Sequence, residues 1–295
     1  MTGADMHDGE IRVDPMVVAR LVASQFPRWA HLSVIPIPSA GTDNSMLRLG
    51  DDMLVRLPRI EWAVADVCRE QEWLPRLAPH LPFAVPTPLA MGEPEFGYPW
   101  RWSVYRWLNG ANPTVDALDD PLGLARDLAH FTTALQRIDI SGGPVASRGE
   151  PLHMREEATR EAMGALTDVV DAGAVGRAWD DALRAPAWDG EPVWIHGDLA
   201  AGNLLLVDGR LSAVIDFGGV GVGDPACDLA VAWSLLPRSA RGVFRKATGA
   251  NEATWRRGAG WALSIALIQL PYYAQTNPSL AASAQHVIHE VLTDR

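Results

Sequence analysis

Residues 194–218 read Trp-Ile-His-Gly-Asp-Leu-Ala-Ala-Gly-Asn-Leu-Leu-Leu-Val-Asp-Gly-Arg-Leu-Ser-Ala-Val-Ile-Asp-Phe-Gly. The apolar pair Trp194-Ile195 leads into a loop carrying Asp198, and Asn203 follows five positions later. Two short apolar runs come next, Leu204 to Val207 and Leu211 to Ile215, separated by Asp208-Gly209. Asp-Gly between apolar runs is a strong hairpin signal, because both central positions of the favoured tight turn need positive φ. The hairpin is expected to return Asp216 to the neighbourhood of Asn203. One carboxylate oxygen and one amide oxygen would then face a common point, a donor pair suited to Mg²⁺ carrying nucleotide phosphates. Asp198 is left one loop away, where it could orient a substrate hydroxyl.

Either tripeptide alone, His196-Gly197-Asp198 or Asp216-Phe217-Gly218, is an ordinary turn. Together they keep the order and the Asp-to-Asn spacing of the kinase pattern H-R-D-x-x-x-x-N followed by D-F-G. The chain continues Gly-Val-Gly-Val-Gly-Asp-Pro-Ala-Cys-Asp-Leu-Ala over residues 219–230. The run H-G-D-L-x-x-x-N, I-D-F-G, G-D-P-x-x-D-L-A resembles the aminoglycoside phosphotransferase family of small-molecule kinases, and Gly197 in place of the kinase arginine is a mark of it. The resemblance is dense over 194–233 and looser over 40–110.

That resemblance implies an α+β, protein-kinase-like two-lobed fold. A small β-rich lobe over 1–106 would cradle the nucleotide. A larger, mostly helical lobe over 107–295 would carry the catalytic loop and the acceptor site. It implies ATP or GTP as donor and Mg²⁺ as cofactor, with Asp198 catalytic and Asn203 and Asp216 on the metal. The acceptor would be a hydroxylated small molecule, by default an aminoglycoside or another antibiotic, which would make the protein a resistance kinase. A choline- or sugar-type metabolite remains an alternative. So does a pseudokinase that binds nucleotide without transfer, although intact Asp198, Asn203 and Asp216 argue against decay. A protein kinase is disfavoured by Gly197 and by the lack of an Ala-Pro-Glu motif after Gly218.

In the small lobe, Gly41-Thr42-Asp43-Asn44-Ser45 falls between the first two expected strands, where kinases place a phosphate-covering loop. Gly41, Thr42, Asn44 and Ser45 are the candidate contacts. Arg56 occupies the strand position that holds a lysine in kinases. It keeps the charge, and a guanidinium binds phosphate well. Glu70 is its expected partner on the following helix, with Glu72 as the alternative. Trp102 to Leu108 is the expected hinge, with Arg106, Trp107 and Leu108 offering backbone groups to the nucleobase. By the same resemblance His196 is structural, bracing the loop. Asp224 and Asp228 are loop and helix supports, Asp228 capping or bracing the helix that begins there. Trp233, Trp255, Trp261, Tyr272 and Tyr273 could line an acceptor pocket or fill a core.

Composition narrows the classes. The 295 residues can bury a large core, and 48% hydrophobic with 21% charged residues is ordinary for a globular protein. A net charge of −11 argues against a nucleic-acid surface and would attract a cationic small molecule. Lys246 is the only lysine and Ala247 follows it, so no Gly-x-x-x-x-Gly-Lys-[Ser/Thr] loop exists and a P-loop kinase is excluded. The acidic first fifteen residues do not read as a signal peptide, and the apolar stretch Trp261 to Leu270 is too short to span a membrane. Cys68 and Cys227 lack metal spacing and suggest reduced thiols. A cytoplasmic location is expected, without membrane or nucleic-acid partners.

Periodicity places a helix after Asp14-Pro15, extended chain at 32–40, and a hairpin of 45–49 with 53–57. A helix is expected over 61–77 and a strand over 101–107. Prolines mark 82–88 as extended or irregular and Gly92-Glu93-Pro94 as a turn. Further helices are expected at 122–138, 154–166, 175–183, 226–236, 254–274 and 280–292.

Overall fold

A computed structural model describes residues 9–37 and 43–294. Its contacts divide the chain into two units. The first comprises Met1–Pro79, Ala84–Gly110 and Ala213–Gly218. Helix α1 (Pro15–Gln25) opens it, with Asp14 accepting from the Met16 amide and Pro15 in the first turn. A five-stranded antiparallel sheet follows, in the order β1 (Val34–Pro36), β2 (Asn44–Leu49), β3 (Met53–Pro58), β5 (Trp102–Arg106), β4 (Pro88–Gly92). Helix α2 (Val64–Leu77) connects β3 to β4.

Side-chain alternation gives this sheet two working faces. Leu47, Leu49, Val55, Leu57, Trp102 and Val104 form one core with Val18, Leu21 and Val22 of α1. Arg56, Ser103 and Tyr105 alternate with those positions and meet α2 instead: Gln71 donates to Ser103 Oγ at 3.0 Å, and Tyr105 donates to Glu70. Strand β4 was expected only as extended or irregular chain up to Pro88 and a turn from Gly92. It pairs with β5 at the sheet edge, with a register shift between Pro88 and Ala90, and an edge is where a proline's missing donor is tolerated.

The second unit comprises His80–Phe83, Ala111–Ser212 and Gly219–Arg295. It contains α3 (Pro121–Gln136), α4 (Glu156–Ala165), α5 (Ala172–Leu183), α6 (Val231–Ser234), α7 (Arg238–Thr248), α8 (Glu252–Tyr273) and α9 (Pro278–Thr293). Strand β6 (Val193–Ile195) pairs with β9 (Gly221–Gly223), while β7 (Leu204–Val207) and β8 (Arg210–Val214) form the expected hairpin. Asp208 and Gly209 at its tip have φ of 50° and 74°, as the Asp-Gly signal required.

Helix α8 is the spine of this unit. It packs on α9, α5 and α4, with Trp261, Leu263, Leu267 and Leu270 buried. Close approach is set by Gly260, where an added Cβ would lie 2.6 Å from Leu152 Cδ2 and 2.7 Å from Ala182 Cβ. Trp233 and Trp261 are at most 1% exposed, so they are core. Tyr272 is exposed.

Candidate functional site

The first unit presents a charged cluster on the α2 face of its sheet. Arg56 is 8% exposed and Glu70 1%. Arg56 Nη1 meets Glu70 Oε1 at 2.7 Å, and Nη2 meets Asp216 Oδ1 at 2.6 Å. With the Asn44 amide turned oxygen-inward, its Oδ1 accepts from Arg56 Nε at 3.2 Å and Nη2 at 3.0 Å. Burial disfavours the guanidinium charge, but Asp216 and Glu70 outweigh it and raise the Arg56 pKa well above its ordinary value. Glu70 also accepts from the Phe217 amide at 2.8 Å, tying α2 to the Asp-Phe-Gly segment.

Asp216 has φ of 66°, a left-handed conformation costly for a non-glycine residue. Its carboxylate is 43% exposed despite the ion pair. Nearby, Asp66 lies where a Cβ on Gly218 would come within 2.7 Å of its carboxyl carbon. Burial is the main cause raising the Asp66 pKa to about 7; Arg56 opposes it, and Asp216 and Glu70 add to it.

Strand β2 begins at Asn44, so Asn44 and Ser45 are strand residues paired with Pro58 and Leu57 rather than loop. Gly41 and Thr42 lie outside the described residues. Arg106 ends β5, its amide donating to Thr87 O, and the Trp107 amide donates to Asp52 O. Arg48 stacks over the Trp107 ring at 3.8 Å. Leu108 makes no backbone hydrogen bond among the described residues.

The second unit holds the His-Gly-Asp loop. Gly197 has φ of 80°, and a Cβ there would meet Gly219 O at 3.0 Å, so only glycine fits without displacement. Asp228 braces this turn: its carboxylate accepts from the His196 amide at 2.7 Å and the Gly197 amide at 2.9 Å. It therefore supports the loop rather than capping its own helix. Burial raises the Asp228 pKa, while His196 and the two amide bonds pull the other way. His196 is fully buried, and its Nδ1 accepts from the Asp198 amide at 3.3 Å. Asp224 is locked to Arg257 at 2.7 Å in a buried pair.

Asp198 stands at the turn's end, its side chain 43% exposed. Asn203 Nδ2 donates to the Asp198 main-chain oxygen at 2.8 Å and to Oδ2 at 3.2 Å. Committing that nitrogen turns the Asn203 amide oxygen the other way. Sequence reading missed two residues that reach this loop from elsewhere in the chain. Asn112 Nδ2 donates to Gly202 O and Leu204 O, each at 2.9 Å, and holds the segment around Asn203. Arg148 forms an ion pair with Asp198. Neither belongs to a motif, and no spacing signal pointed to them.

The "Phosphotransferase enzyme family" matches residues 34–261 of this chain. The chain belongs to that family. An aminoglycoside 3'-phosphotransferase of Escherichia coli is 32% identical over 113 residues, 37% of this chain and 42% of that protein. One of Salmonella typhimurium is 32% identical over 76 residues, 24% and 28% of the two chains. The chain thus spans less than half the length of the curated relatives it matches.

Among solved structures, the GDP and kanamycin complex of APH(2")-IIia superposes with a TM-score of 0.73 at 18% identity, covering 94% of this chain and 98% of that one. A macrolide 2'-phosphotransferase from Brachybacterium faecium gives 0.63 at 23% identity, covering 93% and 97%. Such likeness establishes the fold. It is the α+β, protein-kinase-like two-lobed fold of these phosphotransferases, with a small sheet-bearing N-terminal part and a larger helical part.

Proposed function

We propose that this member of the phosphotransferase enzyme family is a small-molecule kinase, moving the γ-phosphoryl group of ATP or GTP to a hydroxyl of an antibiotic. The observation that carries the reading is Asp198: a half-exposed carboxylate on a loop whose backbone is held by Asp228 and whose Oδ2 is met by Asn203. A loop so supported can present a base in one place. The acceptor class follows the names of the relatives, which are aminoglycoside and macrolide phosphotransferases.

In this reading residues 1–106 cradle the nucleotide and 107–295 supply the catalytic loop and acceptor site. Arg56, held by Glu70, steadies the phosphates, with Asn44 and Ser45 beside them. The backbone at Arg106, Trp107 and Leu108 takes the nucleobase. The Arg106 and Trp107 amides are already used, so the Leu108 amide is the donor of choice. The donor chemistry fits Mg²⁺: Asp216 offers a half-exposed carboxylate, and Asn203 an amide oxygen turned away from Asp198. Bound there, the ion would neutralise phosphate charge. Asp198 takes the proton of the acceptor hydroxyl as its oxygen bonds the γ-phosphorus. The bond from that phosphorus to the bridging oxygen breaks, and its electron pair leaves on the nucleoside diphosphate.

The test is a mass-shift screen with Mg²⁺ and ATP or GTP in parallel, over aminoglycosides, macrolides, choline and free sugars. One added phosphoryl group on an antibiotic is expected. The variant Asp198→Asn should keep nucleotide affinity and lose roughly 10²- to 10⁴-fold in turnover, the usual worth of a positioned acid–base group. Nucleotide binding with no transfer to any acceptor would sink the proposal in favour of a pseudokinase.

A further inference from the structure

Arg148 stands outside every motif of the chain, yet its guanidinium reaches the loop on which the chemistry is placed. Nη1 donates to Asp198 Oδ1 and to the Gly197 carbonyl oxygen, the latter at 3.1 Å. The segment bearing Arg148 is pinned on both sides. Ala146 and Ser147 donate their amides to Val222 O at 3.2 Å and Gly219 O at 3.1 Å, and Gly149 O accepts from the Asp224 amide at 2.8 Å. Gly149 itself has φ of 105°, and a Cβ there would lie 2.4 Å from Ile195 Cδ1. An arginine delivered from so fixed a backbone has little freedom of aim.

The two oxygens of Asp198 are therefore unequal. Oδ1 is taken by a cation in a charge-assisted bond, whereas among the described residues Oδ2 has only the 3.2 Å contact with Asn203 Nδ2. We propose that Arg148 is a positioning residue for Asp198: it clamps Oδ1 and so turns Oδ2 toward the acceptor hydroxyl as the proton-accepting oxygen. Arginine suits this role because the two N–H bonds of Nη1 are fixed in the guanidinium plane, one for the carboxylate and one for the Gly197 carbonyl, where a lysine ammonium would be a freely rotating point charge. Without the clamp the carboxylate rotates about its terminal torsion, and the reactive orientation becomes one of several. The loss falls on turnover, since neither nucleotide nor acceptor need touch Arg148.

The inference rests on the phosphotransfer reading, and the experiment separates the two. Steady-state kinetics with the best acceptor, nucleotide affinity by calorimetry and thermal midpoints are measured for the wild type, Arg148→Ala, Arg148→Lys, Asp198→Asn and the Arg148→Ala/Asp198→Asn double variant. Arg148→Ala should lower kcat about 10- to 100-fold, as loss of an orienting partner does elsewhere, with acceptor KM and nucleotide affinity near wild type. Arg148→Lys should fall between. Added guanidinium ion should restore part of the kcat of Arg148→Ala and nothing in the double variant, a rescue that a purely structural role would not produce.

A wild-type kcat in Arg148→Ala overturns the inference alone. So does a loss in which thermal midpoint and nucleotide affinity fall together with kcat and guanidinium restores nothing. If Arg148→Ala does not fold, Arg148→Lys decides: a lowered kcat with unchanged affinities supports the inference, and a wild-type kcat overturns it. A wild type that transfers phosphate to no acceptor overturns the phosphotransfer reading and this inference with it.

Discussion

Arg56 gathers Glu70, Asp216 and Asn44 around one buried guanidinium. Breaking a buried pair by removing one partner leaves an uncompensated charge and costs about 3–5 kcal/mol in typical cases. We expect Glu70→Ala to lower the thermal midpoint sharply and to impair nucleotide binding. Arg56→Ala should weaken binding more than Arg56→Lys, which keeps the charge but loses the fork. The effects of Arg56→Ala and Glu70→Ala should be strongly non-additive in calorimetric titrations, since each removes the same interaction. Arg59 is the control: its own partner is Glu10, and its loss should matter less. Simple additivity, or a worse Arg59→Ala, would remove Arg56 from the phosphate site. This pair was legible because the family resemblance marks a basic residue on that strand and a glutamate on the following helix, and both elements could be placed in the sequence. Arg148 was not, because the run from Gly142 to Gly149 has no period and its hydrogen bonds join residues far apart in the chain.

Elements were legible in proportion to the clarity of their apolar pattern. Helices α1, α3, α8 and α9 fall where caps and periodicity put them, within a few residues at each end. Helix α7 went unread because Arg238, Arg241, Arg245 and Lys246 obscure its narrow stripe. The signal was there: Ala240, Val243, Phe244 and Ala247 recur at helical spacing, and Gly249 closes the helix with φ of 70°. Strand β9 hid in a glycine-rich run, since glycine carries no strand propensity of its own. The contact of α8 with α5 and the Leu152 turn depends on Gly260 having no side chain. Gly260→Val should therefore overpack that crossing and cost roughly 1–3 kcal/mol, read as a lower urea midpoint with little change in m. An unchanged midpoint would mean that the helices separate there at no cost.

For the whole molecule, acidity is concentrated as well as abundant. Asp66, Glu70 and Asp216 act electrostatically on one another around a single Arg56. Burial raises the folded-state pKa of Asp66 from 3.8 to about 7. A carboxyl raised on folding contributes stability that is complete below its unfolded pKa and disappears as pH rises through the folded value. Metal-free wild type should accordingly lose stability between about pH 4 and pH 7 relative to Asp66→Asn, which cannot ionise. Thermal midpoints at pH 5 and pH 8 check this; parallel curves for the two proteins would contradict it. Among the described residues no helix is long and apolar enough to cross a membrane. One last consequence follows from Ala213–Gly218 belonging to the first unit. That unit is not contiguous in the gene. At synthesis rates of about 5–20 residues per second, some 5–20 s pass between the emergence of Gly110 and that of Gly218. Throughout that interval the nascent sheet and α2 must wait with Arg56 lacking its Asp216 partner and Glu70 lacking the Phe217 amide. The sheet and α2 are thus completed only once Gly218 has followed them out of the ribosome.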